Sequence, residues 1–237
     1  MIPIVCYSHT DYLDVLAVQS VFLQSTNQPK ILLINSVPII PHCFDRVVLY
    51  DDTLNYSKRV LQGMQQIDAE FVLFFHDMDI LLRWSPYDID SIVDCMRSNN
   101  IDRIDLQYSE LQEKDSIQWN DITFTRSTHY IYNVNPSIWR RSAFMDIMSR
   151  FDKNYRQIED METQTYCSQF NIFKVWSLRK IHAGYFHTLP FFVYLHLTHG
   201  GQLLPTTLNN LEPWIQCVYR GILASFSFRR KIRNTLH

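Results

Sequence analysis

The segment Phe71-Val72-Leu73-Phe74-Phe75-His76-Asp77-Met78-Asp79 joins an apolar run to two carboxylates one residue apart. Along extended chain, residues i and i+2 point to the same side, about 7 Å apart. Spaced so, Asp77 and Asp79 can face one hard cation or one polyphosphate together. Two acids at the end of a buried strand repel each other unless a cation or a proton sits between them. Mg²⁺ or Mn²⁺ suits the pair better than zinc, because either takes hard oxygen ligands and keeps waters or phosphate oxygens in its shell. A helix cap beside a surface turn acid is the alternative that spacing alone leaves open.

Such acids act only where a fold presents them. Short apolar runs alternate with helical patterns through the first half: strand Ile2–Cys6, helix Tyr12–Gln24, strands Lys30–Ile34 and Arg46–Tyr50, helix Asn55–Ile67, strand Phe71–Phe75. This β-α-β-β-α-β order predicts an α/β fold, one Rossmann-like domain with a mostly parallel central sheet flanked by helices. Ligands of such sheets collect outside the carboxyl ends of the strands. Ser8-His9-Thr10-Asp11, Asp51-Asp52 and Asp77/Asp79 all fall at such ends. Downstream the pattern predicts a helix at Pro86–Ser98 and a strand at Arg103–Tyr108. A polar loop over Glu110–Asp121, a strand at His129–Val134 and a helix from Pro136 to Arg150 follow. Another helix starts within Gln157–Glu162, and a last strand runs over Ile172–Leu178.

Composition narrows the partners. At 237 residues the chain suits one sizeable domain, and a net charge of −2 offers no basic excess for nucleic acid. Only five glycines occur, and none form a phosphate-cradling loop, so anion binding falls to a metal, basic side chains or helix termini. The five cysteines lack CxxC spacing, which argues against disulfides and zinc knuckles. No leader pattern opens the chain, and its best apolar window, Tyr185–Leu197, is too short to span a bilayer. A soluble, cytoplasmic protein is expected. The basic run Phe228–Arg233 follows an aromatic stretch from Trp214; it suits either peripheral contact with an anionic membrane or a capped last helix.

Residues Asn55–Asp79 resemble the nucleotide-sugar half of GT-A fold glycosyltransferases, especially the small enzymes of bacterial surface-polysaccharide and large-virus type. Those enzymes show a Tyr/Trp-Ser-x-Arg helix start, a strand and a D-x-D acid pair, matched here by Tyr56-Ser57-Lys58-Arg59, Phe71–Phe75 and Asp77-Met78-Asp79. The resemblance covers about residues 2–182. It implies a domain over 1–190, with a nucleotide-sugar half (1–100) and an acceptor half (101–190); the remainder, 191–237, is expected as an aromatic, basic, helical C-terminal extension. By the same resemblance Asp77 faces the ribose and the metal, Asp79 ligates the metal, Arg59 approaches the nucleotide or pyrophosphate, and Ser8 sits near the base. A second match, Asn135-Pro136-Ser137-Ile138-Trp139-Arg140-Arg141 followed by Glu159-Asp160, lies where the family has its acceptor side and its catalytic base. Glu159 or Asp160 is the implied base, with Glu162 on the same turn; acids that only favour a helix N-terminus are the alternative. The family also draws a metal ligand from beyond the last strand, where His182, His187, His196 and His199 crowd. His182, nearest the strand, is the first choice and His187 the second.

The resemblance therefore implies Mn²⁺- or Mg²⁺-dependent transfer of a hexosyl or pentosyl group from a nucleoside-diphosphate sugar to a hydroxyl of a glycan or related acceptor. Trp84, Trp119, Tyr130 and Trp139 are available to stack on sugar faces. Two rivals stand beside it: a haloacid-dehalogenase-like phosphatase using the D-x-D acids, and a non-catalytic sugar-nucleotide or carbohydrate-binding protein of the same fold.

Overall fold

A computed structural model describes residues 1–24, 26–37, 42–109, 115–176, 186–189, 192–199, 202–204 and 217. Its first layer follows from alternation on strands buried on both faces. In β1 (Ile4–Tyr7), Ile4 and Cys6 face one apolar cluster while Val5 and Tyr7 face another. A 3-10 turn at Thr10–Tyr12 leads into α1 (Leu13–Leu23), and β2 (Lys30–Ile34) and β3 (Arg46–Leu49) follow. Next come α2 (Tyr56–Gln65) and β4 (Phe71–His76), whose Phe71, Leu73 and Phe75 join the first cluster and whose Val72 and Phe74 join the second. Near-continuous apolar strands of this kind are what a helix-covered parallel sheet requires.

After β4 the chain turns at Asp77-Met78 into β5 (Asp79–Trp84), then α3 (Pro86–Ser98) and β6 (Arg103–Ser109). A hairpin of β7 (Ser116–Trp119) and β8 (Ile122–Arg126) precedes β9 (Ser137–Arg140), α4 (Arg141–Arg150), α5 (Met161–Cys167) and β10 (Ile172–Trp176). The described remainder holds β11 (Phe186–Thr188), β12 (Phe192–His196) and the small pair β13 (Thr198–His199) and β14 (Gln202–Leu203).

The central sheet has the order β3-β2-β1-β4-β9-β6-β10-β8-β7. All its strands but β8 and β9 run the same way, so the fold is α/β with a large, mostly parallel sheet flanked by helices. Leu16 of α1 and Ile89 of α3 belong to one apolar cluster; Val60 of α2 and Phe144 of α4 belong to the other. α2 lies close to the sheet at Gly63, where an added Cβ would come 2.7 Å from Leu33 Cδ1. A second sheet, β11-β12-β5, pairs residues beyond 190 with the strand that starts at Asp79. Among the described residues no helix is long and apolar enough to cross a membrane.

Five expectations are corrected. The polar loop over Glu110–Asp121 contains strand β7, and the helical extension expected over 191–237 holds strands β12, β13 and β14. Ser137–Arg140 is not the first turn of a helix but strand β9, antiparallel to both β4 and β6. Inserted between those parallel strands, it satisfies two open edges at once, a demand that outweighs the helix-opening preference of Pro136. His129–Val134 is irregular rather than a strand, and Tyr130 takes a φ of 50° there. The polar groups of this loop bond to side chains of β6 and α5 instead of a ladder. Asp77 and Asp79 do not share one extended face either, because the turn at Asp77-Met78 separates them.

Candidate active site

A cleft of about 930 Å³ opens above the carboxyl ends of β1 and β4. On its first bank, Ser8 follows β1 and donates its hydroxyl to Asp77 Oδ2 at 2.5 Å. The Asp77 N–H bonds to the Tyr7 carbonyl, and the Tyr50 hydroxyl bonds to the Ser8 carbonyl. Asp77 is thereby pinned where β1 and β4 end, 6% exposed but lining the cleft.

Asp79 lies behind it, fully buried as the first residue of β5. Its Oδ2 accepts the His76 N–H at 3.2 Å. Its Oδ1 is 2.6 Å from His196 Nδ1, without a well-directed hydrogen bond. The contact arises from strand register, since His196 of β12 pairs opposite Asp79 of β5. His76 closes the floor. Its Nε2 meets the Tyr56 hydroxyl at 2.8 Å, and the rings of Tyr7, Tyr56, Phe74 and Tyr155 surround it. Burial pushes this imidazole down to about 4, so it is neutral at physiological pH.

Arg59, on the first turns of α2, is clamped rather than free. It donates to the carbonyls of Leu54 (2.6 Å) and Asp52 (2.5 Å) and pairs with the Asp52 carboxylate at 2.9 Å. His9 lies 3.1 Å from the same carboxylate, and this hydrogen bond, aided by Arg59, holds Asp52 below the usual range. Ser8, Arg59 and Asp77 thus come together on one bank, with Asp79 buried beneath them.

The second, loop-built bank of the cleft carries Glu159. Its Oε1 accepts the Val134 N–H at 2.6 Å, and its Oε2 accepts the Tyr130 hydroxyl. Gln164 of α5 clips Tyr132 of the same loop through both its N–H and its carbonyl. Under the loop lies fully buried Arg103, which donates to Ser137 Oγ (3.0 Å), Asn133 Oδ1 (2.7 Å) and the Asn133 and Ile131 carbonyls. Asn133 also donates to Asp105, and the guanidinium lies 4.7 Å from the Trp139 ring centre. A buried cation needs several directed acceptors, and this loop supplies them.

Asp160 stands apart from the cleft lining. It caps α5 by accepting the Thr163 N–H at 3.0 Å and pairs with Lys153 at 2.7 Å, a bond that holds its carboxyl below the usual range. Glu162 binds the same lysine at 2.8 Å. His182 lies outside the described residues, as do the His187 side chain and the basic tail from Phe228. His196 and His199 both line the cleft. Nearness to the last strand in sequence favoured His182; only the pairing of β12 with β5 singles out His196.

Among the described residues no three His, Cys, Asp or Glu side chains converge as a metal-binding group.

No protein-family model matches the chain, and no curated protein matches it. Solved structures do. The bifunctional IspDF from Campylobacter jejuni aligns with 76% of this chain at 12% identity and a TM-score of 0.42, and the chain spans 52% of that protein. S. aureus TarS 1-349 in complex with UDP-GlcNAc aligns with 97% of this chain and 68% of its own, at 11% identity and a TM-score of 0.49. For 4-diphosphocytidyl-2C-methyl-D-erythritol synthase from Anaerococcus prevotii the shares are 75% and 89%, at 12% identity and a TM-score of 0.44. At such identities no residue role carries across.

Proposed function

We propose that this protein is a metal-dependent glycosyltransferase that moves a hexosyl or pentosyl group from a nucleoside-diphosphate sugar to a hydroxyl of a glycan or related acceptor. The observation that carries the reading is that Asp77 and Glu159 both line one cleft at the carboxyl ends of parallel strands. Ligands of α/β sheets collect there.

On the first bank Ser8 and Arg59 would flank the nucleotide, and Asp77 would hold the cation from the cleft lining, with the buried Asp79 and its His196 contact behind it. A bound Mn²⁺ or Mg²⁺ ion supplies positive charge that offsets the charge growing on the departing nucleoside diphosphate. On the second bank Glu159 removes the proton from the incoming hydroxyl, a role that needs a carboxylate within hydrogen-bond reach of it. Its two oxygens are already oriented by Tyr130 and the Val134 N–H, which leaves lone pairs for the acceptor. Asp160, committed to its helix and to Lys153, serves the frame of α5.

Incubation with a panel of nucleotide-sugars and Mn²⁺, following nucleoside diphosphate release, tests this directly. At least one donor turned over is expected. A panel without turnover, together with no thermal shift from UDP, GDP or TDP, would sink the proposal. Phosphate release from simple phosphate esters would instead move the assignment to the phosphatase reading. The proposal extends to peripheral contact of the Phe228–Arg233 run with an anionic membrane, expected as co-sedimentation with vesicles containing anionic lipid and not with neutral ones.

A further inference from the structure

Among the described residues the large apolar side chains that stand exposed are Met1, Val37, Leu49, Tyr130 and Met161, and of these only Tyr130 lines the cleft. Two of the other aromatic residues that the sequence offered for sugar stacking are placed differently. Trp139 is buried and stacked on Phe144 at 4.7 Å, and Trp119 bonds Ser91 away from the cleft.

Tyr130 is 52% exposed, yet it is held at both ends. Its hydroxyl donates to Glu159, and its backbone carbonyl accepts the Lys174 ammonium at 3.2 Å. The next carbonyl, of Ile131, accepts from buried Arg103 at 3.3 Å. Its backbone sits at φ 50°, a left-handed conformation that is unusual for an aromatic residue and costs on the order of 1–3 kcal/mol. Such a conformation persists only when its surroundings over-determine it, as the bonds on both sides do here. The result is a ring whose polar tip is occupied and whose apolar body remains in the cleft beside the candidate base. A ring already set in place loses little freedom when a ligand covers it. Aromatic faces of this kind match the C–H face of a pyranose.

We propose that Tyr130 is the acceptor platform of this site: its ring receives a pyranose of the acceptor, and through its hydroxyl the same residue orients the Glu159 carboxylate. Seating the acceptor and aiming the base are then one event. The inference rests on the glycosyl-transfer reading of the cleft and adds to it the acceptor class, a hexopyranoside.

Saturation-transfer NMR with a set of methyl hexopyranosides, with and without Mg²⁺ and UDP, tests the platform independently of turnover. Wild-type protein is expected to transfer saturation to the ring C–H protons of at least one hexoside. Glycerol 3-phosphate, which has no such face, is the control and should show none. Tyr130→Ala should weaken hexoside binding about tenfold or more, while Tyr130→Trp and Tyr130→Phe, which keep a ring, should retain it; unchanged melting temperatures would establish that all three fold. With an active donor in hand, Tyr130→Phe should lower kcat about tenfold at unchanged acceptor KM, whereas Tyr130→Ala should raise KM. Wild-type protein that binds no hexoside, or a Tyr130→Ala protein that binds as wild type does, overturns the platform. So does a Tyr130→Phe enzyme with unaltered kcat for the positioning role. Donor turnover without hexoside binding leaves the transferase reading standing and removes this inference; hexoside binding without turnover of any donor overturns the transferase reading and with it the acceptor role, leaving Tyr130 as a sugar-binding ring only.

Discussion

The two banks of the cleft are built in opposite ways. The Asp77 bank rises from the ends of neighbouring parallel strands, so Ser8 and Asp77 meet because β1 and β4 are in register, Tyr7 opposite His76. The Glu159 bank is made of loop. Residues 130–135 have no ladder of their own and take their shape from Arg103, Gln164 and Glu159 side chains. A ladder distributes its hold over many bonds, whereas a loop concentrates it in a few. One bank is therefore expected to tolerate loss of a single side chain that the other does not.

The largest effect sharpens this contrast through chemistry. Asp77→Asn and Glu159→Gln should each lower transfer by about 10²–10⁴-fold, the range general-base and charge-positioning groups supply. Thermal shift with UDP and Mn²⁺ should be lost in the first and kept in the second. A Glu159→Gln protein that no longer responds to nucleotide would erase the division into banks.

Next comes Arg103→Ala, which takes from buried Asp105 the guanidinium that lies 3.8 Å away and removes two hydrogen bonds to Asn133. Urea unfolding should show a loss of about 3–5 kcal/mol. What survives at low urea should still respond to nucleotide, because the strand-built bank does not depend on Arg103. Equal loss of both responses would break the comparison.

The floor of the strand-built bank is the next target. His76 is held neutral with its pKa near 4, below the ordinary 6.5, because burial penalises its charged form. A depressed histidine pKa means the unfolded chain binds the proton first, so its contribution to stability is complete above about 6.5 and is lost as pH falls toward 4. The drop across that window should approach roughly 3 kcal/mol. His76→Gln should flatten this part of the stability profile; a profile of unchanged slope would show that the floor is wetter than the geometry requires.

The smallest effect concerns Asp160. Asp160→Ala removes the cap of α5 and should lower stability by about 1 kcal/mol while leaving kcat within a few-fold of wild type. A loss of activity as deep as that of Glu159→Gln would move the base to Asp160 and dissolve the loop-built bank.

The same asymmetry explains how much could be read in advance. β2 and α3 stand where apolar periodicity put them, Lys30–Ile34 and Pro86–Ser98, because local alternation, a Ser cap and Pro at the helix start all point one way. Ser8 and Asp77 stand just beyond apolar runs, where polar residues at strand ends draw notice, whereas Arg59 is singled out by the family resemblance alone. The second bank was not legible. Ile131, Tyr132 and Val134 look like a strand, and Pro136 like a helix start, until β4 and β6 leave a gap that Ser137–Arg140 fills. His196 was one of four histidines with nothing local to prefer it. The Glu159-Asp160 pair likewise reads as two equal acids, and only the Lys153 contact and the Val134 N–H separate them.

By itself the sequence determined the α/β class, the mostly parallel strand order at the start of the chain and the acids at its fourth strand. Those follow from periodicity, which acts between residues a few positions apart. Tertiary structure alone decided that Asp79 turns away from Asp77 toward His196, that Glu159 rather than Asp160 enters the cleft, and that Tyr130 stands over it. Each of these depends on a partner at least 25 residues away in the chain or on the opposite strand of a sheet. Such pairings are set by which edges and buried charges must be satisfied, not by the local run of residues.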